Sequence, residues 1–283
     1  MKKHIVSLLF LLSISMGYAQ TKEVIYLWPN QVPNEQASKS RPIQTPDTSR
    51  NVVRITNITN PSLTVYRPKE AVDNHASIII SPGGGYRYLA INSEGYEVAE
   101  WLNTLGFTAF VLEYRAPDNR LGALNDLQRA IRVVRSTSEN MGLNSDKIGV
   151  MGFSAGGHLS LLASTNYEDD SYEKTDVIDS ISSRPDFSVL LYPAYLDRGE
   201  DKTLTPEIKI HKSMPPTFIF GTVDDRLSNG FFVLATAMRK IEAAIEFHIL
   251  PTGGHGYGMR KGNPAAETWP VYAEMWLQEV LQE

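Results

Sequence analysis

Cysteine is absent from all 283 residues. That excludes disulfides, thiolate metal centres and a cysteine nucleophile, so the chain must rely on a packed core. Beyond Met16 there is also no apolar run approaching the ~20 residues that a helix needs to cross a bilayer. Positive charge is not in excess either. Lys and Arg number 27 against 32 Asp and Glu, for a formal net charge of -5, which argues against nucleic acid or an anionic membrane surface as partner. Internal repeats, long charge blocks and metal-ligand spacings are likewise missing. What is present is 42% hydrophobic composition, enough for one large core in a chain of this length.

The first 20 residues, "MKKHIVSLLFLLSISMGYAQ", carry two lysines, an apolar run from Ile5 to Met16, and small residues around Gly17-Tyr18-Ala19. This is the layout of a signal peptide over 1–19, with cleavage expected after Ala19 and export to the periplasm or beyond. The run is too short for a membrane anchor, and a lipid anchor would require a cysteine at the cleavage point. Residues 20–50 are rich in Pro, Asn, Gln and Ser and read as an extended lead-in lying over the surface. Residues 51–283 form the expected folded domain.

Within it, "NVVRITNITNPSLTVYRP" alternates apolar and polar residues, as in an antiparallel edge pair turning near Asn60-Pro61. From Ala76 the rhythm changes. "ASIIIS", "FTAFVLEYR", "KIGVMG", "FSVLLYP", "PTFIFG" and "IEFHILP" are short apolar runs that read as strands, most of them buried on both faces. Helical spacing intervenes at Val98–Leu105, which Gly106 stops. It recurs at Leu127–Val134, with Asn125 or Asp126 as cap, then at Ala155–Ser164, Phe231–Ala244 and Ala265–Gln282. Alternation of this kind predicts an α/β fold, a mostly parallel sheet with helices on both faces. Ligands then gather where the strands end. Two polar stretches, Thr165–Asp186 and Ala194–Met214, interrupt the pattern and are candidates for the rim of a pocket.

Gly152-Phe153-Ser154-Ala155-Gly156 has the form Gly-x-Ser-x-Gly, placed between a buried strand and a helix. That setting makes a nucleophile elbow, in which a tight turn lifts the hydroxyl above the sheet edge. The competing reading is a plain turn with Ser154 as helix cap. A serine hydroxyl needs a base to attack anything, and six histidines are available. His4 lies in the leader, His75 and His211 in loops, His248 inside a strand, and His158 one helical turn past the serine, where packing is its expected role. His255, in "PTGGHGYG" just after the last strand, is free to reach over the sheet edge.

A base of this kind needs a carboxylate behind it. Asp224 and Asp225 follow the strand "PTFIFG", and the order serine, acid, histidine is that of α/β hydrolases. Neighbouring residues cannot both face the imidazole. Asp224 is favoured, three residues after Gly221 and three before Leu227, and Asp225 is left to cap or pair nearby. Donors for a developing oxyanion are expected from the Ala155 amide at a helix start and from Gly83, Gly84 and Gly85 in "PGGGY".

Together "PGGGYRYLAINSEGYEVAEWLNTLGFTAFVLEYR", "DLQRAIRVVRS", "KIGVMGFSAGGHLSLLAS", "RPDFSVLLYP", "PPTFIFGTVDD" and "GGHGYG" resemble secreted bacterial α/β hydrolases of the acetyl xylan esterase type, from Leu63 to the C-terminus. The resemblance implies the α/β-hydrolase fold and a triad of Ser154, Asp224 and His255. It also implies a cofactor-free esterase that removes small acyl groups, acetyl foremost, from plant polysaccharides or oligosaccharides such as xylan. The alternatives are a feruloyl or general carboxylesterase, a serine peptidase of the same fold, and, in another class, a binding protein with a dead site. The implied partner is an acylated carbohydrate or another small ester, not nucleic acid. Three departures bear on specificity: Pro82 stands where relatives carry histidine, "DDRLSN" where "DDxxVP" is common, and the stretch from Pro193 to Pro215 is shorter than in many relatives.

Overall fold

Segments such as "SIIIS" place apolar side chains on both faces, Ile79 on one and Ile78 and Ile80 on the other, so they are stable as strands covered on both sides. The computed structural model, which describes residues 23–282, places them at the centre of one large sheet. In chain order the elements are β1 (Val24–Tyr26), β2 (Ile43–Gln44), β3 (Arg54–Thr56), β4 (Ser62–Tyr66), β5 (Ser77–Ser81) and β6 (Leu89–Ala90). They continue with α1 (Glu97–Thr104), β7 (Thr108–Glu113), α2 (Arg120–Met141), β8 (Ile148–Phe153), α3 (Ala155–Thr165) and β9 (Phe187–Leu191). The chain closes with β10 (Thr217–Thr222), α4 (Ser228–Lys240), β11 (Ile245–Leu250) and α5 (Pro264–Val280). The eight-stranded sheet has the order β1-β4-β7-β5-β8-β9-β10-β11. The β1–β4 and β4–β7 pairs are antiparallel, and every pairing from β7 onward is parallel. Helix α3 packs on β8 and β9, α1 on β7, α5 on β10, and α4 on β10 and β11.

Three expectations need correction. β3 and β4 do not pair with each other. β3 joins β2 and β6 in a small separate sheet, while β4 crosses to β7 fifty residues on. The alternation in that stretch reflects two strands facing different neighbours. The lead-in is not merely draped over the surface: β1 adds an edge strand, and Leu27, Trp28 and Val32 are buried in the core. The Trp28 indole N–H donates to Asp126 at 2.9 Å, and its ring meets Tyr172 edge-on. Finally, α2 begins earlier than its apolar spacing indicates. Asn119, not Asn125 or Asp126, caps it by accepting from the Gly122 amide. Asp126 instead holds the buried guanidinium of Arg115 at 2.9 Å.

The proposed leader, residues 1–19, lies outside the described residues. Among the described residues no helix is long and apolar enough to cross a membrane, and no cluster of His, Asp and Glu is grouped to hold a metal ion.

Candidate active site

β5, β8, β10 and β11 end on one edge of the sheet, and the chain leaving them carries the glycine loop, Ser154, Asp225 and His255. β8 ends at Phe153, and the next residue, Ser154, has φ 52 and ψ -115. This is a strained conformation for a residue with a side chain. The turn closes only because its flanks are glycine: a Cβ on Gly152 would lie 2.1 Å from the Gly156 carbonyl oxygen, and one on Gly156 would lie 1.9 Å from that of Ser81. Ser154 is thereby held up from the sheet. Its Oγ is 2.7 Å from His255 Nε2, and His255 Nδ1 is 2.6 Å from Asp225 Oδ2. The imidazole is a quarter exposed, while the Asp225 side chain is fully buried.

The acid favoured from sequence, Asp224, does not reach the histidine. Its carboxylate accepts the Gly254 amide at 2.9 Å and the Gly253 amide at 3.2 Å. It thus ties down the loop that carries His255, and those donors hold its carboxyl below the usual range. The reason is local. After β10 the chain turns, with the Asp225 amide donating to the Thr222 carbonyl and the Leu227 amide to Asp225 Oδ1. That turn points Asp225 inward and Asp224 outward. Sequence spacing alone does not resolve a one-residue rotation of this kind.

The glycine loop also divides unevenly. Gly84 and Gly85 line the cleft beside Ser154 and His255. The Gly83 amide is already engaged, donating to Glu94 Oε2 at 2.8 Å, so it is not a free oxyanion donor. Ala155, the first residue of α3, precedes the helix's own hydrogen-bond ladder, and its N–H sits at the positive end of the dipole. An alcohol, an imidazole and a carboxylate in this sequence can pass a proton from the alcohol as it attacks a carbonyl. Amides beside them can take up the charge that forms on the carbonyl oxygen.

Sequence reasoning missed Glu94. It sits on a single π-helical turn, Asn92–Tyr96, that opens α1, an irregularity common at functional sites. One carboxylate oxygen accepts from Gly83; the other accepts the Tyr192 hydroxyl at 2.8 Å. Tyr192 in turn accepts the Gly258 amide at 3.0 Å. Glu94 therefore links the glycine loop to the loop carrying His255. Burial pushes its carboxyl above the ordinary range, against the opposing effect of those two donors. The only hint in the sequence is an acid-glycine pair inside "NSEGY", a short strand beyond the glycine loop. His158, expected to pack, is fully buried. Its Nδ1 pairs with the Tyr86 hydroxyl at 2.8 Å, its Nε2 lies 3.1 Å from Glu207, and burial lowers its pKa. Of the two candidate rim stretches, Ala194–Met214 contributes Ala194, Tyr195 and Arg198 to the cleft. Thr165–Asp186 contributes nothing to it and is instead bound to α2 through Arg129, Arg132 and Arg135.

Residues 63–192 match the BD-FAE family. A solved acetyl ester-xyloside bifunctional hydrolase from Caldicellulosiruptor lactoaceticus superposes with a TM-score of 0.74 at 30% identity, over 92% of this chain and 96% of that one. The chain belongs to the α/β-hydrolase esterases of the acetyl xylan esterase type. An acetylxylan esterase of Xylanibacter ruminicola is 31% identical over 232 residues, 72% of this chain and 44% of its own length. The endo-1,4-beta-xylanase B of Butyrivibrio fibrisolvens is 28% identical over 69% of this chain and 34% of its own. The chain thus spans less than half the length of these curated relatives. Esterase 2 of Thermogutta terrifontis shares the fold, with a TM-score of 0.71 at 21% identity. In this chain the elbow follows β8, the glycine loop β5 and the histidine loop β11, all strands of the parallel part of the sheet.

Proposed function

We propose that the protein is a serine esterase that removes small acyl groups, acetyl foremost, from acylated plant polysaccharides or oligosaccharides such as xylan. Ser154 Oγ attacks the ester carbonyl while His255 Nε2 takes its proton. Asp225 holds the imidazole in the tautomer that leaves Nε2 free, and stabilises the imidazolium that forms. The amides of Ala155 and of Gly84 or Gly85 receive the oxyanion. The imidazolium then protonates the departing sugar hydroxyl, leaving an acyl-enzyme on Ser154. Water, activated by the same histidine, releases the acid and restores the serine. No step calls for a cofactor.

The reading is carried by the continuous hydrogen-bonded chain from Ser154 through His255 to Asp225. It opens into a cleft of about 350 Å³, a volume at the small end for ligand sites. Names borne by the similar proteins support acetylated xylan as the substrate class. The pattern of residues 1–19 supports export before the enzyme acts. The test is acetate release from acetylated xylan and hydrolysis of p-nitrophenyl acetate, with Ser154→Ala as control. Both activities should vanish in the variant, and turnover that survives it overturns the mechanism. Activity on feruloyl esters without activity on acetyl esters moves the assignment to a feruloyl esterase.

A further inference from the structure

The cleft above Ser154 is unusually cationic for a chain of net charge -5. Five arginines line it: Arg50, Arg54, Arg87, Arg198 and Arg226. They come from separate parts of the chain. Arg50 and Arg54 lie around the start of β3, Arg87 follows the glycine loop, Arg198 lies in the stretch after β9, and Arg226 directly follows Asp225. Arg54 is committed to the Asp47, Ser49 and Val52 carbonyls and lies 3.6 Å from the Asp47 carboxylate. The other four are exposed, and among the described residues none of their guanidinium groups makes an ion pair or hydrogen bond. Among the described residues the single carboxylate lining the cleft is Glu94, buried and already occupied by Gly83 and Tyr192.

Four guanidinium groups without an anionic partner line one mouth, Arg198 resting 5.7 Å from the centre of the Tyr195 ring, and the planar fork of arginine suits a carboxylate in particular. Their position indicates which part of the substrate carries it. Gly84, Gly85 and Ala194 beside Ser154 are buried or half-buried, whereas the four arginines are exposed, and of the two halves of an acylated sugar the departing glycan is the larger, the half with room only at the exposed rim.

We propose that the preferred substrate is an acylated glycan bearing uronic-acid carboxylates close to the ester, held by Arg50, Arg87, Arg198 and Arg226. This rests on the esterase reading above and narrows its substrate. The test uses acetylated xylo-oligosaccharides carrying glucuronic-acid branches, and the same oligosaccharides with the carboxyl groups reduced to alcohols. p-Nitrophenyl acetate serves as a neutral small ester, and p-nitrophenyl hydrogen succinate places the carboxylate on the acyl side. At low salt kcat/KM should favour the acidic oligosaccharides by ~10-fold or more. The preference should shrink severalfold as ionic strength rises to 0.5 M, because added salt shortens the screening length below about 10 Å. Arg87→Gln and Arg226→Gln should each lower the ratio of acidic to reduced kcat/KM, a comparison made within one variant and so independent of its folded fraction. Equal kcat/KM for the two oligosaccharides, with no salt dependence and Ser154-dependent hydrolysis of p-nitrophenyl acetate intact, overturns this inference and leaves the esterase reading standing. Preference for the succinyl over the acetyl ester without preference for the acidic glycan also overturns it, by placing the recognised carboxylate on the acid. Failure on every ester sinks both.

Discussion

Asp224 and Asp225 are adjacent, chemically identical and both hydrogen-bonded at the site, yet the structure gives them separable roles. Asp225 Oδ2 lies 2.6 Å from His255 Nδ1, and its Oδ1 accepts the Leu227 amide at 2.9 Å. In Asp225→Asn the two sides cannot both be satisfied. If the amide oxygen keeps the Leu227 N–H, the NH₂ faces Nδ1. The imidazole must then carry its proton on Nε2, where it cannot accept one from Ser154. If the amide flips, NH₂ confronts the Leu227 N–H, and a buried donor left unpaired costs about 1–3 kcal/mol. That alone weights the wrong tautomer ~10- to 100-fold. The imidazolium also loses the buried charge that stabilises it in the transition state. Together these should lower kcat by ~10³- to 10⁴-fold, about 4–5.5 kcal/mol of barrier. In Asp224→Asn the amide oxygen still accepts from Gly254, so kcat should fall less than ~10-fold. The assay is kcat for p-nitrophenyl acetate at neutral pH, with circular dichroism to show that both variants fold. A loss for Asp224→Asn that equals or exceeds that for Asp225→Asn refutes the assignment, as does an Asp225→Asn enzyme within tenfold of wild type.

Further outcomes follow from two buried carboxyls, Glu94 and Asp179. Glu94→Gln offers one acceptor where the Gly83 amide and the Tyr192 hydroxyl need two. It should lower kcat ~10-fold or more with KM little changed, and a rise in KM alone argues against its holding the oxyanion loop. Because burial raises the Glu94 pKa, its protonated form favours the fold. That contribution is complete below pH 4.5 and is lost as pH rises through the folded-state value. Glutamine does not ionise, so the Tm of Glu94→Gln relative to wild type should climb with pH over that window, and a flat difference contradicts it. Asp179 behaves oppositely. Burial pushes its carboxyl up, but Tyr172, Thr175 and Arg129 outweigh that and bring it down to about 2. Its stabilisation, on the order of 2 kcal/mol, is present above pH 3.8 and lost as pH falls toward 2. Asp179→Asn should therefore be less stable at neutral pH and show a shallower loss of stability on acidification, measured by urea denaturation at several pH values.

What could be read from the sequence depended on how far each residue's role is set by its neighbours in the chain. The central strands and the elbow were legible because the causes are local. An apolar run must be covered, and Gly152 and Gly156 flank a turn that a side chain would block. His255 was legible by elimination, the other histidines lying in strands, helices or distant loops. Asp225 was not, because a turn after β10 decides which of two neighbouring carboxylates faces inward. The Gly83 amide failed as a donor for a reason eleven residues away, the carboxylate of Glu94. The lead-in hid its buried Leu27, Trp28 and Val32 because three irregularly spaced side chains leave no periodicity to detect; the partners of Trp28, Asp126 and Tyr172, lie about a hundred or more residues on. The arginine rim is the extreme case. Arg50, Arg87, Arg198 and Arg226 share no motif and no spacing, and only the closing of the sheet brings them to one mouth. Catalytic chemistry in this fold is written into strand ends and glycine turns, where a single sequence exposes it. The four arginines meet only after folding, so the acidic-glycan preference proposed for them has no counterpart in any local pattern of the chain.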